Sequence, residues 1–275
     1  MRVFISADIE GVSGVVAADQ TSSAGGDYDR ARRLMTGEVN AAIDGAMEAG
    51  AEDVVVNDAH GNMRNILIEE LRPEARLLTG SPKILGMMEG IDQGFDFCAF
   101  VGYHARAGSA GVLNHTISGG VVCRVQMNGR EVGEAGLNAV LAGHYGIPLA
   151  MLSGDADVCR QVGELVPGVV TVAVKEAAGR YAALCISPER ARNAIREGVI
   201  AAAQKVREGA LSPLRVETPV RISLAVSDTA MADLASMLPG SEREAPLEVA
   251  YEAEDARAAC VVLRAMITLA SSSRR

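Results

Sequence analysis

The chain opens MRVFISADIEGVSG, residues 1–14, and the reading of this stretch decides the fold. Val3 to Ala7 is a short, continuous apolar run of the kind found in strands buried on both faces of a parallel sheet. It stops at two acids, Asp8 and Glu10, set at i and i+2 and therefore on the same side of an extended chain. Two carboxylates so placed repel each other unless a cation sits between or beside them. A Gly- and Ser-rich loop follows.

Working outward, Asp27 reads as an N-cap. Apolar residues then recur at Ala31, Leu34, Met35, Val39, Ala42, Ile43, Ala46 and Met47, a helical stripe ended by Gly50. Asp53 to Asn57, Ala75 to Thr79 and Phe97 to Gly102 read as three further strands. Val121 to Met127 and Arg130 to Val132 flank Asn128-Gly129, the strongest two-residue hairpin signal. Helix Glu134 to Tyr145, strand Leu149 to Leu152, helix Asp157 to Leu165, strand Val169 to Val174 and helix Pro188 to Arg207 follow. Strands alternating with helices predict an α/β fold, a layered and mostly parallel sheet with flanking helices.

After Gly209 the pattern changes. Leu211-Ser212-Pro213 reads as a linker, Val220 to Val226 as a strand, Met231 to Met237 as a helix, Leu247 to Ala253 as a strand and Asp255 to Ala270 as a helix. The expected division is an α/β metal-binding catalytic domain over residues 1–208, with a hairpin excursion near 105–133, and a smaller α+β domain with βαβα order over 209–275. Ser271 to Arg275 reads as a frayed end.

Composition removes several function classes. The 275 residues carry 26 Lys plus Arg against 35 Asp plus Glu, a net charge of −9, which repels phosphate backbones and anionic lipid. No Trp and only 3% aromatic residues leave no stacking platform for bases. Nucleic acid and membrane are therefore not expected partners. The five cysteines, Cys98, Cys123, Cys159, Cys185 and Cys260, are scattered and form no CxxC, so a disulfide framework or zinc knuckle is not expected and a reducing cytoplasm is. The amino terminus already reads as a strand rather than a secretory signal, and no apolar run approaches the roughly 20 residues of a membrane span.

Three strands share a feature. The first runs into Asp8 and Glu10, the second into Asn57, Asp58 and His60, and the fourth into Tyr103 and His104. Open α/β sheets bind ligands at the carboxyl ends of their strands, so adjacent parallel strands would deliver carboxylates and imidazoles to one rim. That mixed O/N donor set suits Zn²⁺, Mn²⁺ or Co²⁺ better than Ca²⁺. Taken singly, each residue also has a plain structural reading, as a cap or a turn residue. Yet His60, His104 and His115, three of only four histidines, fall within one short stretch. His115, in Leu113-Asn114-His115-Thr116, is a candidate ligand, proton donor or loop residue. His144, near a helix end, reads as a structural complement to the helix dipole. Glu134 opens a helix, where an acid is favoured by the dipole alone, but its flanking glycines leave the carboxylate accessible.

The stretches SADIEGVSG (Ser6 to Gly14), VNDAHGNM (Val56 to Met63), VGYHARAG (Val101 to Gly108), NHT (Asn114 to Thr116) and VGEAGLNA (Val132 to Ala139) together make the chain resemble the D-aminopeptidases of the dipeptide-operon type, binuclear zinc metallopeptidases. The resemblance runs along almost the whole chain. It implies two Zn²⁺ per subunit on Asp8, Glu10, His60, His104 and Glu134, with Asp8 shared between the ions, and a catalytic His115 acting as nucleophile or acid–base group. It also implies short peptides carrying N-terminal D-amino acids, D-Ala above all, as substrates, and a ring-shaped homo-oligomer, in the expected case a decamer.

The leading reading is thus a metallopeptidase that uses a two-zinc-activated water. A metal-dependent phosphohydrolase is the second, because Gly11-Val12-Ser13-Gly14 superficially resembles a phosphate-binding turn, although neither GxGxxG nor a Walker-type Lys-Ser/Thr is present. A metal-binding scaffold without turnover is the third.

Overall fold

A computed structural model describes residues 1–273. The first elements are β1 (Arg2–Ala7), α1 (Tyr28–Glu48), β2 (Asp53–Asp58), β3 (Ala75–Leu78) and β4 (Phe97–Tyr103). A hairpin of β5 (Val122–Met127) and β6 (Arg130–Glu131) leads into α2 (Glu134–His144). Then come β7 (Leu149–Asp155), α3 (Ala156–Leu165), β8 (Val170–Gly179), β9 (Ala182–Cys185) and α4 (Pro188–Arg207). The tail consists of β10 (Val220–Val226), α5 (Thr229–Ala235), β11 (Glu242–Ala245), β12 (Glu248–Ala253) and α6 (Ala256–Ser271).

Every residue of β4 and β7 is buried, and in β1 and β2 only the first is partly exposed, which is why these runs show no polar alternation. They form the centre of a seven-stranded sheet ordered β3-β2-β1-β4-β7-β8-β9. Neighbours from β3 to β8 run parallel, and only the edge strand β9 pairs antiparallel. Side chains of β1 alternate between two cores. Val3 and Ile5 pack with Met35 and Val39 of α1 and Ile195 and Val199 of α4, while Phe4 packs with Leu141 of α2 and Val158 of α3. The expected mostly parallel, helix-flanked sheet is present.

The chain steps from β1 outward through β2 to β3, then returns to place β4 on the other side of β1. That reversal opens a crevice at the carboxyl ends of β1, β2 and β4.

A second sheet, β11-β12-β10-β5-β6, is antiparallel throughout. The β5–β6 hairpin pairs with β10, Met127 opposite Ile222, so a mid-chain excursion and the tail share one sheet and one core with α5 and α6. Asn128 and Gly129 both adopt positive φ, 48° and 77°, as a tight hairpin turn requires. The tail contains a β11–β12 hairpin beyond the expected βαβα order.

Asp27 stands at the N-cap of α1 without capping it; its Oδ2 instead accepts from Gln20 Nε2 and Arg30. α6 stays helical through Ser271, so the expected fraying does not start there, and its Arg274 and Arg275 part lies outside the described residues.

Candidate metal centre

Backbone bonds stitch the loop after β1 to β4. Asp8 N donates to Val101 O at 2.8 Å and Gly11 N to Gly102 O at 2.7 Å. Two glycines permit this approach. A Cβ on Gly11 would lie 1.8 Å from Tyr103 O, and one on Gly102, at φ +72°, would lie 2.2 Å from Asp8 O. Lys175, buried on β8, donates to the carbonyls of Glu10, Val12 and Val15 and holds the same loop from the other side. Burial lowers its pKa to about 8.

Asp8, Glu10, His104 and Glu134 are 2–7% exposed, and the His60 and His115 side chains 15% and 19%. His60 Nδ1 lies 2.9 Å from Glu10 Oε2 and 3.3 Å from Asp8 Oδ1. His104 Nε2 lies 3.5 Å from Asp8 Oδ2 and 3.4 Å from Glu134 Oε1. His115 Nε2 is 3.8 Å from Glu134 Oε1, and its ring stacks on His104 with centroids 4.2 Å apart. All six residues singled out from the sequence therefore meet at the crevice. Asn57 and Asp58 do not join them: Asn57 accepts from Lys83, and Asp58 accepts from Asn65 and Ile66, shaping the loop that carries His60. His144 lies at the far end of α2, edge-on to Tyr145.

The far ring nitrogens set the tautomers. His60 Nε2 faces Thr21 O at 2.7 Å, His104 Nδ1 faces Ala105 O at 3.0 Å, and His115 Nδ1 faces Leu113 O at 2.9 Å. A carbonyl only accepts, so each of these nitrogens carries a hydrogen, and in the neutral ring the other nitrogen aims a lone pair at the carboxylates. Accordingly, Asp8 Oδ2, Glu10 Oε2 and His104 Nε2 are buried without a hydrogen bond. Lone pairs and carboxylates converge, so the arrangement is stable only with protons or cations among them. In metal-free protein the protons serve. Burial first, then the neighbouring Glu10 charge, raises Asp8 to about 7. Burial opposes ionisation of Glu10, but His60 outweighs it and holds Glu10 well below the usual range. Burial would also lower His104, yet Glu134 and Asp8 push it up to about 10. One ligand atom each from Asp8, Glu10 and His104 lies within 4.8 Å of the others, as does one each from His104, His115 and Glu134. The donor set fits a metal of the zinc type.

The segment bearing His115 is strained. Leu113 and Ile117 adopt φ of 52° and 60°, a region costly for L side chains and most so for a β-branched one. Leu113 N donates to Arg180 O, and Ile117 N to Glu134 Oε1 at 2.6 Å, and these bonds hold the loop over the centre. Beneath it runs a buried chain that sequence reasoning missed, Asn138 Nδ2 to Tyr103 Oη to Ser6 Oγ. Asn138 sits one turn beyond Glu134 on the same face of α2, a spacing that pointed to it. Lys175 is a lone cation after the apolar Val170–Val174 stretch of β8, and no local pattern marks it as the residue that holds the Glu10 loop. The Gly11–Gly14 turn is packed inside: Ser13 N donates to the Glu38 carboxylate and Ser13 Oγ to Ile186 O, so the turn does not present its amides to a phosphate.

A pocket of about 250 Å³ opens onto the centre, reached by Asp8, His60, His115 and Glu134 and walled by Met87, Leu137, Leu141, Leu263 and Ile267. Fold and centre together define an α/β protein of the metallohydrolase kind, with carboxylates and imidazoles gathered at the switch point of a parallel sheet. The chain belongs to the D-aminopeptidase family, whose profile matches residues 1–265. It is 36% identical over 271 residues to the D-aminopeptidase of Bacillus subtilis (strain 168), covering 98% of each chain. It is likewise similar to a solved structure described as the Zn-dependent D-aminopeptidase DppA from Bacillus subtilis, a self-compartmentalizing protease, with a TM-score of 0.95, 36% identity and 98% of each chain covered. The family resemblance carried by the motifs is thereby borne out. Among the described residues no helix is long and apolar enough to cross a membrane.

Proposed function

We propose that this chain is a zinc-dependent aminopeptidase that removes N-terminal D-amino acids, of the D-Ala type, from short peptides, using two zinc ions per subunit. One observation carries the reading: Asp8 turns Oδ1 towards His60 and Oδ2 towards His104, each imidazole also facing its own glutamate, Glu10 or Glu134. Two adjoining sites then share Asp8, one completed by Glu10 and His60, the other by His104 and Glu134. Bound there, zinc supplies a Lewis acid for the scissile carbonyl and lowers the pKa of water.

The protein's own groups do the rest. Thr21 O and Ala105 O fix the imidazoles in the ligating tautomer, and Lys175 holds the Glu10 loop. His115 carries its hydrogen on Nδ1, bonded to Leu113 O, so Nε2 is the atom that exchanges a proton with the leaving amine. Leu137, Leu141, Leu263 and Ile267 give the same pocket apolar surface against which a substrate side chain can pack. A cytoplasmic setting and a homo-oligomeric, decameric ring complete the reading. The setting rests on five free cysteines, and the ring on likeness to a self-compartmentalizing relative. Chelation followed by zinc add-back tests the central claim. Hydrolysis of D-Ala dipeptides, faster than of their L-Ala counterparts, should vanish and return, with two zinc ions per subunit in the active form. Activity surviving complete metal removal would overturn it.

A further inference from the structure

Arg264 comes from α6, far along the chain from every proposed metal-binding residue, yet it lines the same pocket as His60, His115 and Glu134. Its guanidinium lies directly against Gly86. Gly86 has φ +57°, and a Cβ there would lie 1.8 Å from Arg264 Nη1 and 2.6 Å from Cζ. Gly86 opens a short 3-10 helix, Gly86–Met88, and the Arg264 cation packs on its first residue.

Five N–H donors in a fixed fork are a strong demand for acceptors. Among the described residues none of them makes a hydrogen bond or an ion pair. Glu89 is the acid acting on Arg264 through space, and its Oε2 is taken by Leu85 N at 2.8 Å. Burial pulls the pKa of Arg264 below the usual arginine range, but a guanidinium stays charged in proteins. None of these donors is sealed from solvent, so the fork stands open to the pocket for an anion that arrives with a ligand. The anion that matches the fork in two parallel bonds is a carboxylate. The pocket that Arg264 shares with Asp8, His60, His115 and Glu134 is also lined by Leu137, Leu141, Leu263 and Ile267. At about 250 Å³ the space is below the roughly 300–1,000 Å³ of common small-molecule sites and suits a short, compact peptide.

We propose that Arg264 is a specificity-determining residue that anchors the free α-carboxylate of the substrate. Short free-acid peptides, rather than peptide amides or longer chains, are then the class this pocket takes. This rests on the aminopeptidase reading above and sharpens its substrate class. The peptide spans the pocket with its scissile bond at the acidic cluster and its carboxyl end on α6. A long chain carries its carboxylate out of reach of the fork and forfeits the interaction.

Calorimetry on zinc-loaded protein tests this without turnover. The probes are three reduced-amide isosteres, in which CH2–NH replaces the scissile amide: D-Ala-Gly as the free acid, the same as its C-terminal amide, and D-Ala-D-Glu as its α-amide. The wild type should bind the free acid at least tenfold more tightly than either amide. Arg264→Leu should abolish that preference while leaving affinity for the amides unchanged. Arg264→Lys, which keeps the charge without the fork, should retain part of it and guards against a misfolded leucine variant. Equal binding of acid and amide by the wild type overturns the proposal. So does a preference that survives in both variants, or tight binding of the D-Glu α-amide, which would assign the fork to a side-chain carboxylate. An Arg264-dependent preference in a protein that cleaves no D-aminoacyl bond would support the anchor and sink the aminopeptidase reading instead.

Discussion

His115 lies flat on His104, ring centroids 4.2 Å apart and planes 9° from parallel, with its Nε2 turned towards Glu134 and the pocket. Stacking fixes the His115 ring without making it necessary to the cluster formed by Asp8, Glu10, His60, His104 and Glu134. Metal binding and turnover should therefore separate. His115→Ala is expected to keep its full zinc content and to lower kcat roughly 10²–10⁴-fold, the usual worth of a positioned proton-transfer group. Elemental analysis beside steady-state kinetics makes the comparison. Loss of zinc in step with loss of rate would show His115 to be a ligand.

Zinc should also act as part of the fold. Buried acids and lone pairs converge on a small volume, so a cation that binds only the folded state stabilises it by RT ln(1 + [L]/Kd), about 3 kcal/mol with free zinc a hundredfold above Kd. For a chain of this size that is a rise in Tm of roughly 5–10 °C. Calorimetric scans with and without chelator measure it. The sign with pH follows from the raised values of Asp8 and His104, about 7 and about 10. Both hold protons in the metal-free centre that zinc must displace, so apparent zinc affinity should strengthen as pH rises and protons should be released on binding. A zinc affinity independent of pH between about 6 and 8 would contradict that.

The parallel sheet and the meeting of residues at its rim were legible because both rest on strong signals. β1, β2 and β4 are continuous apolar runs, and each leads into Asp8, His60 or His104 at the end where parallel strands gather ligands. What escaped was carried by polar or isolated residues. β9 and β11 are edge strands of partly or fully exposed residues, and Glu242-Arg243-Glu244-Ala245 presents no apolar period to detect. Arg264 looks like any charged residue on an amphipathic helix until α6 folds against the pocket. Pairing of β5 with β10 joins residues about a hundred apart, and no local pattern encodes that register. Nor does spacing state which imidazole nitrogen faces the acids, since Thr21 O and Ala105 O decide it.

Glu38 gives the stability a pH dependence away from the centre. Burial outweighs the bond from Ser13 N and raises its carboxyl from 4.5 to about 7, leaving Oε2 without a partner. The folded state thus binds a proton more tightly than the unfolded state. Stability falls as pH rises from about 4.5 to about 7 and is flat beyond, a loss of about 3 kcal/mol across the window. Glu38→Gln keeps the oxygen that Ser13 N uses and removes the titration. Its stability relative to the wild type should improve steadily over that window in denaturant unfolding of the zinc-loaded protein. Parallel profiles for the two proteins would rule the argument out.

Gly11 is the residue on which centre and fold depend together. The seam between the loop after β1 and β4 is closed by Gly11 N donating to Gly102 O, and a Cβ at Gly11 would sit 1.8 Å from Tyr103 O. That neighbour is backbone in a fully buried strand and has no rotamer by which to yield. Gly11→Ala must therefore push the loop off β4. Doing so moves Asp8 and Glu10 away from His104 and breaks the geometry in which Asp8 faces both imidazoles. The expected cost is roughly 3 kcal/mol or more, at the upper end for overpacking, and the surviving folded fraction should bind zinc weakly. Gly14 offers the control within the same turn. A Cβ there meets only the end of the Leu34 side chain, at 3.4 Å, so Gly14→Ala incurs the strain of φ +85° but no backbone collision. It should destabilise the chain by about 1 kcal/mol and leave zinc binding intact. Equal zinc affinities in the two variants would mean that the seam does not set the position of Asp8.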